Sequence, residues 1–227
     1  HYYVRGGSEQ MWRMPEVRLL GAEDGWEAVS IWGMGIASED ITGDGRPEVM
    51  LTSMGDQLLQ FATGGYGWRS APYALGTTAH RPHLGDDGRP ATGWHAVFGD
   101  VDNDGLSDLF ISKGNVDQMP SNAMRDPNSL LRQGPDGRFA EVSVEAGVAS
   151  LHRGRGAALA DLNRDGRLDL VVVNRRAPME LWENVTDSGN WLALTPRQVR
   201  PNGFAVGAFV EVRDADGSVR VKEITVG

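Results

Sequence analysis

Short apolar runs, none longer than a strand needs, alternate with polar corners rich in Gly and Asp along most of this chain. Gly33 to Asp40, Gly93 to Asp100 and Gly154 to Asp161 are runs of small residues, each ending on an aspartate. Each leads through a nine-residue polar corner into an apolar stretch: Val49-Met50-Leu51, Leu109-Phe110-Ile111-Ser112 or Leu170-Val171-Val172-Val173. Such β-rich runs between turn residues predict buried strands. Third strands are expected at Gln57 to Phe61, Ser129 to Arg132 and Met179 to Glu183, and a fourth at Gly137 to Ser143. The best helical candidate, Val142 to Ala149, amounts to about two turns. The pattern predicts an all-β chain.

The corners set the period. Asp40-Ile-Thr-Gly-Asp-Gly-Arg-Pro-Glu48, Asp100-Val-Asp-Asn-Asp-Gly-Leu-Ser-Asp108 and Asp161-Leu-Asn-Arg-Asp-Gly-Arg-Leu-Asp169 begin 60 and 61 residues apart. A fixed spacing of that size marks repeated supersecondary units. Four short strands per repeat with Gly-rich corners is the arrangement of a β-propeller blade. Small residues in the leading strand suit a crowded axis where backbones approach closely.

Charge sharpens the picture. The 227 residues carry 31 acidic and 22 basic side chains, a formal charge of −9. Ten of the acids lie in the three corners, and without them the chain holds 21 acids against 22 bases. Each corner follows D-x-[D/N/T]-x-D-G-x-x-[D/E]. Oxygens at positions 1, 3 and 5 (Asp40, Thr42, Asp44; Asp100, Asp102, Asp104; Asp161, Asn163, Asp165) can face one side of a tight loop. The glycine at position 6 permits positive φ, a backbone carbonyl at position 7 (Arg46, Leu106, Arg167) can add a ligand, and the acid at position 9 (Glu48, Asp108, Asp169) closes the cage. All-oxygen, partly ionised donor sets suit Ca²⁺. A borderline or soft metal would recruit His or Cys, and the corners contain neither. Up to three structural Ca²⁺ ions are therefore expected.

Two alternatives are weaker. Asp-Gly alone is a hairpin signal, and the pairs at Asp24, Asp87, Asp136 and Asp216 lack the other oxygens and read as plain turns. An EF-hand needs a glutamate at position 12 and flanking helices; position 12 here is Leu51, Ile111 or Val172, inside a predicted strand.

The corners and strands resemble FG-GAP or VCBS repeats of integrin-α-like β-propellers. Asn128-Ser-Leu-Leu, Gly137 to Gly147 and Gly154 to Asp161 resemble more closely the cartilage acidic protein and ASPIC/UnbV group of repeat proteins. Gly189-Asn-Trp-Leu192 and Gly207-Ala-Phe-Val-Glu-Val212 look like the start of the small β-rich ASPIC/UnbV domain, although Gly203 and Gly207 stand farther apart than that pattern usually has. The resemblance implies N-terminal strands or a partial blade in 1–27, three blades in 28–185 and a truncated β-rich domain in 186–227. Such propellers have roughly 4–8 blades, so the remaining blades are expected from a longer chain, from residues such as 1–27, or from a partner. The implied role is non-catalytic: a Ca²⁺-stabilised scaffold for extracytoplasmic protein–protein interaction or adhesion, as an accessory subunit of a larger complex. The alternative is a polysaccharide lyase or hydrolase, or a glycan-binding module, on the same scaffold.

No nucleophile elbow, P-loop, zincin or dinucleotide fingerprint is present, and no catalytic residue is assigned. Gly64-Gly-Tyr-Gly67 reads as a loop. His80, His83 and His95, with Asp86 and Asp87, lie in a Pro/Gly-rich stretch and read as loop residues, with a metal or acid–base role as the lesser alternative. The tryptophans read as packing residues; Trp68 and Trp94 are the two to test for sugar stacking. The long insertion from Lys113 to Asn128 is the candidate partner surface. Net acidity argues against nucleic acid, and no apolar run approaches a membrane helix. Weak Ca²⁺ sites favour a periplasmic, secreted or cell-surface location. The absence of Cys does not fix the compartment.

Overall fold

The computed structural model describes residues 9–85, 88–116, 122–215, 217 and 219–225. Among the described residues the regular structure is all-β, apart from two single-turn 3₁₀ segments, Ala22–Asp24 and Tyr73–Leu75. A minimal hairpin pairs β1 (Trp12–Arg13) with β2 (Arg18–Leu19). Three antiparallel meanders follow. The first runs β3 (Gly33–Glu39), β4 (Glu48–Ser53), β5 (Leu58–Gly64) and β6 (Gly67–Ser70). The second runs β7 (Gly93–Gly99), β8 (Asp108–Lys113), β9 (Ser129–Gln133) and β10 (Phe139–Glu141). The third has β11 (Gly154–Ala160), β12 (Asp169–Asn174) and β13 (Glu180–Trp182). A terminal hairpin joins β14 (Phe209–Arg213) to β15 (Val219–Glu223).

The leading strands of the meanders lie side by side, β3 against β7 and β7 against β11. Their small residues are what permit this. A Cβ at Gly35 would overlap the carbonyl oxygen of Trp94. Thr52 Oγ1 spans the same junction, accepting from the Gly35 amide at 2.8 Å and donating to Trp94 O at 2.9 Å. Strand β8 is buried along its whole length because it is covered on both faces. Leu109 and Ile111 pack with Met50 and Leu59 of the first sheet. Phe110, between them, packs with Leu170 and Val172 of the third. The period-two alternation of side chains thus serves two cores at once, which explains why β8 is an unbroken apolar run.

Two segments go beyond what the sequence pattern shows. Val142 to Ala149 forms no helix but a folded turn: Ala146 N bonds Val142 O at 2.9 Å, and Val148 N bonds Ser143 O at 2.9 Å. Ser143 is drawn out of helical pairing because its hydroxyl binds the Leu130 amide and the Glu141 carboxylate, and Gly147 ends the turn at φ +75°. Gly64 to Gly67 is a hairpin corner, as a loop there requires, yet it leads into β6, a strand the apolar pattern did not reveal. Gly64 and Gly65, at φ +111° and +57°, make that corner.

The end of the second sheet away from its corner is polar and sealed. Lys113 Nζ and Asp126 Oδ1 lie 3.0 Å apart with both side chains fully buried. Asp126 Oδ2 also accepts the Thr92 amide at 2.5 Å, and Asn128 Oδ1 accepts the Lys113 amide at 2.9 Å. These bonds fasten the described ends of the insertion between β8 and β9; residues 117–121 lie outside the described residues.

Candidate metal centre

The three Asp-rich corners connect β3 to β4, β7 to β8 and β11 to β12, and they share one hydrogen-bond scheme. The position 1 carboxylate turns back over the loop. Asp40 accepts the amides of Gly43, Asp44 and Gly45 at 2.8, 3.1 and 2.8 Å. Asp100 accepts those of Asp104 and Gly105 at 3.0 and 2.8 Å. Asp161 accepts those of Asp165 and Gly166 at 3.0 Å each. The position 5 carboxylate then caps position 7: Asp44 to Arg46 at 2.9 Å, Asp104 to Leu106 at 2.8 Å, Asp165 to Arg167 at 3.0 Å. The position 6 glycines sit at φ +81°, +88° and +85°, where a side chain is strained.

Position 9 performs a task the sequence pattern did not disclose. One oxygen of Glu48, Asp108 or Asp169 accepts the position 2 amide of its own corner, Ile41, Val101 or Leu162, at 3.0 Å in every case. The other oxygen of Asp108 accepts Gln133 N, and that of Asp169 accepts Asn184 N, both at 2.9 Å. Asp108 and Asp169 therefore each tie their corner to the chain at the end of the third strand. Asn184 goes further, donating through Nδ2 to Val101 O at 2.7 Å and Leu168 O at 3.2 Å, so that it bridges the second and third corners. Nothing in the sequence marks Gln133 or Asn184 for this role; only the folded register brings them in.

The second corner brings carboxylates together. Asp100, Asp102 and Asp108 place oxygens within 4.8 Å of one another, the sole such group of three acids or histidines found among the described residues. Asp102 Oδ1 is buried without a hydrogen-bond partner. Burial pushes the Asp108 carboxyl up to about 7, against the pull of its two amide bonds, and raises Asp100 in the same direction. A desolvated carboxylate cluster with an orphaned oxygen has the chemistry of a hard-cation site. These residues fit Ca²⁺.

In the first corner Thr42 Oγ1 stands 3.5 Å from Glu48 Oε1, bringing positions 3 and 9 together, and burial raises Glu48. In the third, Asn163 Nδ2 donates to Asp165 Oδ2 at 3.0 Å, and the Arg167 guanidinium also engages Asp165. The Arg167 backbone amide, first among several hydrogen bonds and charges, holds Asp165 below the usual carboxylate range. With Thr or Asn at position 3, these corners have fewer converging charges than the second.

The histidines do not gather. His80 engages Asp56, His83 lies 3.4 Å from Glu141, and His95 Nδ1 accepts the Ala157 amide at 3.3 Å. Burial lowers both His83 and His95, favouring neutral rings. Asp86 and Asp87 lie outside the described residues. Trp94 is engaged in packing: its indole donates to Gly114 O at 2.6 Å, and the Arg155 guanidinium stands 4.0 Å over its ring. Trp68 is half-buried in β6, opposite Ala62. Among the described residues, no helix is long and apolar enough to cross a membrane.

No family model matches the chain. Similarity to curated proteins is partial and consistent in kind. The chain is 34% identical over 94 residues to cartilage acidic protein 1 of Xenopus tropicalis, covering 41% of this chain and 13% of that protein. It is 35% identical over 100 residues to the human protein of the same name, covering 43% and 14%. The mouse protein is 27% identical over 166 residues, covering 69% and 23%. The chain thus spans less than a quarter of the length of these relatives, and what it shares with them is a cartilage acidic protein 1-like segment.

Proposed function

We propose that this chain is a Ca²⁺-stabilised segment of a β-propeller, with blades in 28–185 and the start of an ASPIC/UnbV-like β domain in 186–227, and that it serves extracytoplasmic protein–protein interaction or adhesion. One observation carries the reading. Three corners 60 and 61 residues apart repeat the same carboxylate-to-amide scheme, and in the second a buried, partnerless oxygen belongs to a cluster of three acids. Stacked meanders with adjacent leading strands support the blade assignment, and the similarity to cartilage acidic protein 1 supports the group.

In this reading Asp100, Asp102, Asp104, Asp108 and the Leu106 carbonyl hold one ion. Asp40, Thr42, Asp44, Glu48 and the Arg46 carbonyl hold a second, and Asp161, Asn163, Asp165, Asp169 and the Arg167 carbonyl a third. The ions are structural: they neutralise a corner that must otherwise bury like charges, and so fix the geometry between the first two strands of each blade. At ~1 mM free Ca²⁺ and a Kd near ~10 µM, mass action adds about 2.7 kcal/mol per filled site. Full occupancy takes the formal charge from −9 to about −3. Such affinities suit a location outside the cytoplasm. Calorimetry with and without chelator tests the reading: melting temperature is expected to fall on chelation and return with excess Ca²⁺, and identical melts would refute it.

A further inference from the structure

The chain beyond the third sheet returns to the acidic corners. Gly189 N bonds Asp102 O at 3.2 Å, and Asn103 Nδ2 reaches Ser188 Oγ at 3.2 Å and Gly166 O at 3.0 Å. Trp191 lies against Gly166 so closely that a Cβ there would overlap the indole. The terminal hairpin then brings two cations to the first two corners. Lys222 Nζ lies 2.9 Å from Glu39 Oε1, beside Asp40, and Ser107 of the second corner engages the same carboxylate oxygen. The Arg220 guanidinium rests against Gly105, between Asp104 and Leu106, while one of its nitrogens pairs with Asp214 Oδ2 at 2.8 Å on the hairpin itself. In a chain with an acidic excess concentrated in these corners, this places positive charge where it offsets the excess.

We infer that Arg220 and Lys222 of the β14–β15 hairpin act as tethered counter-charges for the first two corners, so that seating of the hairpin and binding of divalent cations there oppose one another. The inference rests on the cation-binding reading above. Arg220 and Lys222 stabilise the corners most when their carboxylates are uncompensated; a bound divalent ion removes much of that attraction and repels the side chains. Coupling between two binding events is reciprocal, so the ion must loosen the hairpin to the extent that the hairpin weakens the ion. Both cations are more than half exposed, which limits the effect and makes it sensitive to salt.

The test is Ca²⁺ titration by calorimetry of the chain and of its Arg220→Gln/Lys222→Gln variant, at ~50 mM and ~1 M NaCl, with hydrogen exchange of 209–223 alongside. The variant is expected to bind Ca²⁺ about 2–5-fold tighter at low salt, with the difference vanishing at high salt. Amides of the hairpin are expected to exchange faster when Ca²⁺ is present. Equal or weaker binding by the variant, or slower hairpin exchange with Ca²⁺, would overturn the antagonism. Absence of Ca²⁺ binding to either protein would instead overturn the reading on which it rests.

Discussion

Asp108 accepts the amide of Val101 at 3.0 Å, a bond that Glu48 and Asp169 repeat with Ile41 and Leu162 at the same distance. The last acid of each corner is thus an internal fastener as well as a candidate ion ligand. In the second and third corners it also holds the end of the third strand that lies beside the corner, through Gln133 and Asn184.

The fastening has a measurable share of stability that is separate from metal. Asp108→Ala strips the partner from two amides, and a buried donor left unpaired costs about 1–3 kcal/mol. Urea denaturation in excess chelator is expected to show a loss of at least that size. An unchanged midpoint would mean that water replaces the carboxylate at no cost.

The same carboxyl sets an opposite dependence on pH with and without ion. Its folded value, raised to about 7, lies above the ordinary value of about 3.9. Between those values the metal-free native state holds a proton that the unfolded chain has released. Stability in chelator should therefore fall as pH rises from about 4 to 7 and level off above that. Ca²⁺ binding requires the deprotonated form, so the stabilisation it confers should shrink as pH drops below about 7. Thermal melts across that range, in chelator and in excess Ca²⁺, check both slopes.

The buried Lys113–Asp126 pair predicts strong non-additivity. Asp126→Ala leaves the Lys113 ammonium buried beside an unpaired Thr92 amide, and breaking such a pair costs about 3–5 kcal/mol. The double change Lys113→Met/Asp126→Leu removes both charges and is expected to cost less than Asp126→Ala alone. A double-mutant cycle in urea gives the coupling directly.

Close approach of the leading strands can be probed by adding one methyl. Gly35→Ala places a Cβ against the Trp94 carbonyl, whereas a Cβ at Gly156 meets nothing within 4 Å. The first change is expected to cost about 1–3 kcal/mol, the second little. Equal effects would show that backbone proximity at Gly35 is not a constraint.

Much of this arrangement was legible in the chain. The runs before and after each corner became β3 and β4, β7 and β8, β11 and β12, with boundaries within two residues of the expected ones. They were legible because apolar alternation and Asp-Gly corners are local signals. β6 was missed because Trp68-Arg69-Ser70 carries little apolar content, and its pairing with β5 is what makes it a strand. At 142–149 the apolar spacing offers at most about two helical turns, and the segment closes as a turn in which Ser143 finds its partner in Leu130, on a strand of the sheet.

The sequence alone determined the spacing of the corners, the oxygen donors in them and the all-β character, since each depends on residues within a few positions of one another. Only the tertiary structure decided that the last acids of the second and third corners reach Gln133 and Asn184, that Asn184 bridges two corners, that Arg220 comes to rest on the second corner and that Lys222 comes to rest on Glu39, beside the first. Those contacts join residues up to 183 positions apart. Their partners are selected by packing of whole sheets, which no local pattern of residue types encodes.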